Sequence, residues 1–253
     1  MFGTRSPFPT AHHTERPAVL IVAHGSPSAP EVPEAAIKAL AKETARWLPG
    51  WNLDGATLAA ESALETALNR MSRRHLLIYP FFMSDGWFVR TELPRRLRAG
   101  GQRSFEVLTP FGHNCGIPAL CEAAIKTAAK SAGDLAADTN VLLAAHGSRS
   151  VPQQRRLIER TAGILAASNS FRGVHVGFLE ELPSVGEAAR LAGAGVCLPL
   201  FVGRAGHVEI DLPRALAAAS WSGTLLDPLG TWPEIPDLIA TSLLQSRPVA
   251  LSG

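Results

Sequence analysis

VLIVAHGSPS, residues 19–28, returns as VLLAAHGSRS, residues 141–150, and that return decides the fold. Each copy is an apolar run of strand length that stops at His-Gly-Ser. Working outward, YPFFMSDGWFVRTELPRRL at 79–97 returns as LPLFVGRAGHVEIDLPRAL at 198–216. TPFGHNCGIPAL at 109–120 returns as DPLGTWPEIPDL at 227–238. The offsets stay close: 146 − 24 = 122, 199 − 80 = 119 and 228 − 110 = 118. The chain is a duplicated unit whose copies differ by a few loop residues.

Within each copy, short apolar runs alternate with helical stretches. In the first, AVLIVAH is a strand, 31–47 a helix, ATLAA (56–60) a second strand, ALETALNRMS a helix and HLLIYPFFM a third strand. Residues 91–98 then read as helix, SFEVLTP as a fourth strand and 117–129 as a last helix. The second copy repeats the order through VLLAAH, VHVGFLE, VCLPLFV and GTLLDPL. Strands alternating with helices predict βαβ units and parallel sheets. Runs apolar at nearly every position predict strands covered on both faces. The expected fold is α/β: two similar flavodoxin-like or chelatase-like domains, each a parallel sheet of about four strands flanked by helices. Residues 1–17 read as a tail, 18–137 as the first domain and 138–253 as the second, with the polar stretch 129–140 as linker.

Composition narrows the classes. The chain has 253 residues, 46% of them hydrophobic, and a net charge of +2, which carries no nucleic-acid signature. No apolar run reaches bilayer-spanning length. The first 17 residues lack the apolar core of a signal peptide, and His12 and His13 there read as solvated. Three scattered cysteines (Cys115, Cys121, Cys197) make no disulfide framework and fit a reducing, cytoplasmic compartment.

In an open parallel sheet, ligands gather outside the carboxyl ends of the strands, where both repeated polar motifs fall. His146 directly follows one strand, and His207, in GRAGH, follows another of the same domain. Two histidines at one rim suit metal binding or proton transfer. Gly147 suits a tight turn, and Ser148 either the site or a helix cap. A carboxylate completes such a site. GFLEELPS ends a further strand, so Glu180 or Glu181 projects there, only one of them facing the site. Glu209 and Asp211 are further candidates, although Asp211 before Leu212-Pro213 reads best as a helix cap. The first copy lacks the set. His24 remains, Phe88 stands for His207, alanine stands at the strand end, and Glu61 is out of register. That copy reads as a cleft wall on which Trp87 and Phe88 present a flat apolar surface. A Ser148/His146 hydrolase is a weaker reading, because no acidic partner or nucleophile elbow accompanies the pair.

These motifs resemble the class II tetrapyrrole chelatases, most closely the sirohydrochlorin cobaltochelatase and ferrochelatase family of CbiX type in its two-domain fused form. The residues that carry it are His146-Gly147-Ser148, Phe178-Leu179-Glu180 with Pro183-Ser184, and Pro199 to His207 with Asp211-Leu212-Pro213. The resemblance spans nearly all of 19–244. It implies insertion of a divalent metal (cobalt or ferrous iron, with nickel also suited) into sirohydrochlorin or a related tetrapyrrole, for cobalamin or siroheme biosynthesis. The metal is then a substrate, and no organic cofactor is implied. The resemblance also implies that His146, His207 and Glu180 hold the metal or take protons. The interval from Glu180 to Pro183 is one residue shorter than the family's usual spacing, which keeps Glu181 open. A flat ring bearing several carboxylates needs apolar faces and a basic rim. Trp87 and Phe88 offer the first, and Arg149 and Arg204 the second, with Arg90, Arg155 and Arg156 nearby and Ser148 as a further substrate contact. Expected partners are the tetrapyrrole and the metal ion, with no nucleic acid or membrane and a monomer or homodimer. The alternative is a non-catalytic metal or tetrapyrrole carrier on the same scaffold.

Overall fold

The computed structural model describes residues 17–71, 75–148, 152–204 and 206–246, without the side chains of Pro152 and His207. The tail with His12 and His13, and Arg149, lie outside the described residues. The first half runs β1 (Ala18–Ala23), α1 (Glu31–Ala45), β2 (Asn52–Thr57), α2 (Ala63–Arg70), β3 (Leu76–Pro80), α3 (Leu93–Ala99), β4 (Phe105–Val107) and α4 (Ile117–Ser131). The second runs β5 (Asn140–Ala145), α5 (Pro152–Ala167), β6 (Gly173–Phe178), α6 (Val185–Ala192), β7 (Gly195–Pro199), α7 (Leu212–Ala218), β8 (Thr224–Leu225) and α8 (Ile235–Gln245). The sheets are ordered β2-β1-β3-β4 and β6-β5-β7-β8, and every pair is parallel. The expected pair of similar four-stranded α/β domains is what forms.

The inner strands β1, β3, β5 and β7 are apolar nearly throughout because both faces are covered. Val19, Ile21 and Ala23 of β1 face a central core, while Leu20 and Val22 face α2 and α3 on the outside. β5 repeats this, with Val141, Leu143 and Ala145 central and Leu142 and Ala144 toward α6 and α7. The central core is one continuous cluster holding residues of α1, α4, α5 and α8 and of both sheets. α4 packs on β7 and α5 of the second half, and α8 on α1 of the first. The Tyr79 hydroxyl of β3 approaches Ser242 of α8, and burial pushes its pKa up to about 12. The halves therefore share a core through their last helices.

Three local expectations are corrected. The second strand is NLDGAT, ending where ATLAA begins. It is polar because it lies at the sheet edge, where Asp54 bonds Arg70. The stretch 129–140 is shorter as a linker than expected, since α4 runs to Ser131 and a 3-10 turn occupies Ala136–Asp138. The helix expected from residue 91 begins as a π-helical turn, Phe88–Glu92, and its copy is His207–Asp211. π-turns inside helices concentrate at functional sites.

The loops before these turns are anchored from behind. Gly230 N–H donates to the Phe201 carbonyl at 2.9 Å, and Gly112 repeats the bond to Phe82 at 3.0 Å. A Cβ on Gly230 would run into the backbone carbonyl of Val202. Gly230→Ala is expected to cost about 1–3 kcal/mol by overpacking, read as a lower urea midpoint with an unchanged slope. An unchanged midpoint would contradict the close packing.

Candidate functional site

The strand order places the topological switch points between β1 and β3 and between β5 and β7, where ligands bind in open α/β sheets. His146 follows β5 directly. Its Nδ1–H donates to the Gly147 carbonyl at 2.8 Å, so the neutral ring carries its lone pair on Nε2. Gly147 is buried at φ +78, which glycine adopts without strain. Ser148 does not cap the next helix, which starts four residues on at Pro152. Its backbone N–H instead donates to Glu181 Oε1 at 3.1 Å.

The loop after β6 is pinned at both ends. Phe178 N–H donates to the Pro183 carbonyl at 2.9 Å, and Ser184 and Glu187 form a capping box on α6. Glu180 N–H donates to the His146 carbonyl at 2.9 Å, which ties the loop to the histidine's own backbone. The two glutamates diverge. Glu181 is half-buried and turned to the His146-Gly147-Ser148 loop, while Glu180 is exposed and faces α7. It lines a pocket of about 380 Å3 with Leu179, Asp211, Arg214, Ala215 and Ala218.

Asp211 is not a helix cap. It sits in helical conformation (φ −72, ψ −41) with no cap hydrogen bond, because the π-turn His207–Asp211 already supplies the turn before α7. His207 opens that turn as Phe88 opens the first. Glu209 and Ile210 are exposed on it.

Backbone bonds make the two halves comparable residue by residue. Leu58 and Ala59 N–H donate to the Ala23 and His24 carbonyls, as Leu179 and Glu180 do to those of Ala145 and His146. Ala59 therefore stands where Glu180 stands, and Ala60 where Glu181 stands. The Phe88 ring packs edge-on to His24 at 4.3 Å and stacks with Phe82 at 6.5 Å, closing the first-half position with aromatic carbon. Trp87 beside them is 57% exposed but stands at 73° to Phe88 with ring centroids 5.1 Å apart, so the two rings do not form the single flat surface expected.

The pocket beside Glu180 also has a first-half counterpart, and it is filled. Arg96 stands where Ala215 stands. Its Nε–H donates to Glu92 at 2.7 Å and its Nη1–H to the Leu58 carbonyl at 2.6 Å. Under Arg95 and Arg96, Glu92 is buried and its pKa falls to about 2. The equivalent Asp211, next to alanine, is exposed. The missing arginine was visible in the repeat, but its consequence was not.

Among the described residues, three arginines of the expected basic rim are charge-compensated. Arg204 pairs with Asp227 at 2.6 Å, Arg90 with Asp85 at 2.8 Å, and Arg155 with Glu159 at 2.8 Å and Glu181 at 3.3 Å. Cys121 and Cys197 are buried, and burial pushes both thiols up to about 12. Among the described residues, no three His, Cys, Asp or Glu side chains assemble into a metal-holding group. No helix among them is long and apolar enough to cross a membrane.

The CbiX family pattern matches residues 18–128 and again 140–246. The structure of CbiX described as the terminal enzyme for biosynthesis of siroheme in denitrifying bacteria superposes with a TM-score of 0.83 at 42% identity, covering 91% of this chain and 100% of that one. SirB from Bacillus subtilis, solved with Fe3+, has the same fold at TM-score 0.72 and 17% identity, over 91% of this chain and 95% of that one. A multi-domain protein of Deinococcus radiodurans with structural similarity to chelatases reaches 0.72 at 22% identity, over 90% of this chain and 54% of that one. No curated protein sequence matches the chain.

Proposed function

From the premise that this chain belongs to the CbiX family, we propose that its second half inserts a divalent metal ion into sirohydrochlorin or a closely related tetrapyrrole, in siroheme or cobalamin synthesis. The observation that carries this reading is the asymmetry of the copies. At equivalent strand ends the second half has His146, Glu180 and His207, and the first has His24, Ala59 and Phe88.

Insertion requires the metal to shed water and the ring to lose two pyrrole protons. His146 and His207 act as ligands to the incoming ion and as proton acceptors, since imidazole suits cobalt, iron and nickel and titrates near neutrality. Glu180 neutralises charge on the cation and relays protons outward. A site with few protein ligands leaves coordination positions open, so ring nitrogens displace the side chains in turn. Trp87 and Phe88 cover a ring face. Ser148, Arg149 and Arg204 meet the ring's carboxylates, with Arg204 exchanging its Asp227 partner for substrate.

The test is single-turnover incubation of the purified protein with sirohydrochlorin and Co2+, Fe2+ or Ni2+ in turn. The expected result is the absorption change of the metallated ring at a rate above the protein-free control. Ring or metal binding without that change would make the protein a carrier instead.

A further inference from the structure

We propose that Glu181, held by Arg155, is a positioning residue for His146, acting through the single peptide that joins Gly147 to Ser148. This deepens the chelatase reading and rests on it for its kinetic consequences. The carbonyl of that peptide accepts the His146 Nδ1–H at 2.8 Å, and its N–H donates to Glu181 Oε1 at 3.1 Å. The peptide unit is planar, with its C=O and N–H opposed. A carboxylate that fixes the N–H therefore aims the carbonyl at the imidazole. The anion also polarises the peptide and strengthens its carbonyl as an acceptor. Outer-shell partners of this kind orient metal-ligating histidines.

Glu181 is itself held. Arg155 Nη1–H donates to the Leu182 carbonyl at 2.7 Å and lies 3.3 Å from Glu181 Oε2. Its Nε–H donates to Glu159 at 2.8 Å, and the guanidinium lies 5.0 Å over the Phe178 ring. A Cβ on Gly147 would come within 2.8 Å of the Glu181 Cγ, so carboxylate and loop are in direct packing.

The first half keeps the histidine bond, with His24 Nδ1 3.0 Å from the Gly25 carbonyl against 2.8 Å in the second half, but lacks the carboxylate behind the peptide. Glu34 stands where Arg155 stands (155 − 34 = 121, the separation of Ile37 and Ile158, which both face the central core), and its carboxylate takes the N–H and hydroxyl of Thr57 at 2.7 and 2.8 Å. Ala60 stands for Glu181. The acid is spent on the strand end and nothing anionic reaches the Gly25-Ser26 peptide from that position. The latch thus accompanies the His, Glu, His set. It also assigns separate work to adjacent glutamates, Glu180 facing the cation and Glu181 setting the histidine.

The test uses the full chain with Glu181→Ala, Glu181→Gln and Arg155→Met, each first checked for an unchanged far-UV spectrum. Glu181→Ala is expected to speed amide hydrogen exchange at Ser148 at least tenfold and to lower kcat for insertion about tenfold with KM unchanged. Glu181→Gln keeps an acceptor for the Ser148 N–H and is expected to recover most of both. Arg155→Met is expected to move both readouts in the same direction as Glu181→Ala. Wild-type exchange and kcat in Glu181→Ala would overturn the proposal, as would a raised KM with unchanged kcat, which marks a substrate contact. The exchange measurement needs no substrate. If wild-type protein inserts no metal, the chelatase reading fails while exchange at Ser148 still decides the latch.

Discussion

His207→Ala is expected to lower metal insertion by about a hundredfold or more, while His24→Ala leaves it within about threefold. Loss of a positioned proton acceptor alone costs roughly 10²–10⁴ in rate, and His207 is proposed to be a metal ligand as well. His24 has the same backbone setting as His146, with its Nδ1 3.0 Å from the Gly25 carbonyl. Its ring, however, packs against Phe88, and Ala59 replaces the carboxylate, so it has neither of the partners an incoming cation needs. The pair of variants therefore assigns the active half. His146→Ala and Glu180→Gln should follow His207→Ala. If His24→Ala abolished insertion while His146→Ala did not, the division of labour between halves would be reversed.

Ala215→Arg is expected to close the second half as Arg96 closes the first. In the first half, the arginine reaches a carboxylate and a strand-end carbonyl at 2.7 and 2.6 Å. The same backbone in the second half offers Asp211 and the Leu179 carbonyl around the pocket of about 380 Å3. The new side chain would fill that volume and set a fixed positive charge beside Glu180. Two unit charges about 6 Å apart cost roughly 3 kcal/mol at an effective dielectric near 20, and a divalent ion feels more. Insertion should fall at least about a hundredfold, with a Tm within a few degrees of wild type because the first half tolerates the same residue. Part of the loss should be recovered in high salt, which screens an exposed charge. Ala215→Met fills space without charge and separates the two causes. Unimpaired insertion by a folded Ala215→Arg protein would remove Glu180 and its pocket from the site.

Much of this was legible in the residues, for identifiable reasons. A buried parallel strand must be apolar on both faces, so VLIVAH and VLLAAH declare themselves, and their recurrence declares the duplication. Strand ends carry ligands in such sheets, so His146 and His207 were singled out from position alone, and the Phe88 contrast marked the half that lacks the second histidine. β2 was misplaced because an edge strand pairs on one side and tolerates Asn52 and Asp54, leaving no apolar run to read. The π-turns were missed because one extra residue per turn has no composition of its own.

The sequence by itself determined the duplicated α/β architecture, the family and the half that retains a histidine pair, since each rests on residue type at a fixed spacing. Only the tertiary structure showed that Glu180 and Glu181 diverge, one lining the pocket against α7 and the other turned to the Gly147-Ser148 peptide. Strict alternation of side chains ends with the strand at Phe178, and beyond it the loop's own hydrogen bonds aim each carboxylate. It also decided that α4 and α8 lie against the opposite half, because amphipathic periodicity marks a buried face and not the sheet that buries it. And it gave Ala215 its meaning, since an absent side chain matters only through the space and the charge it leaves.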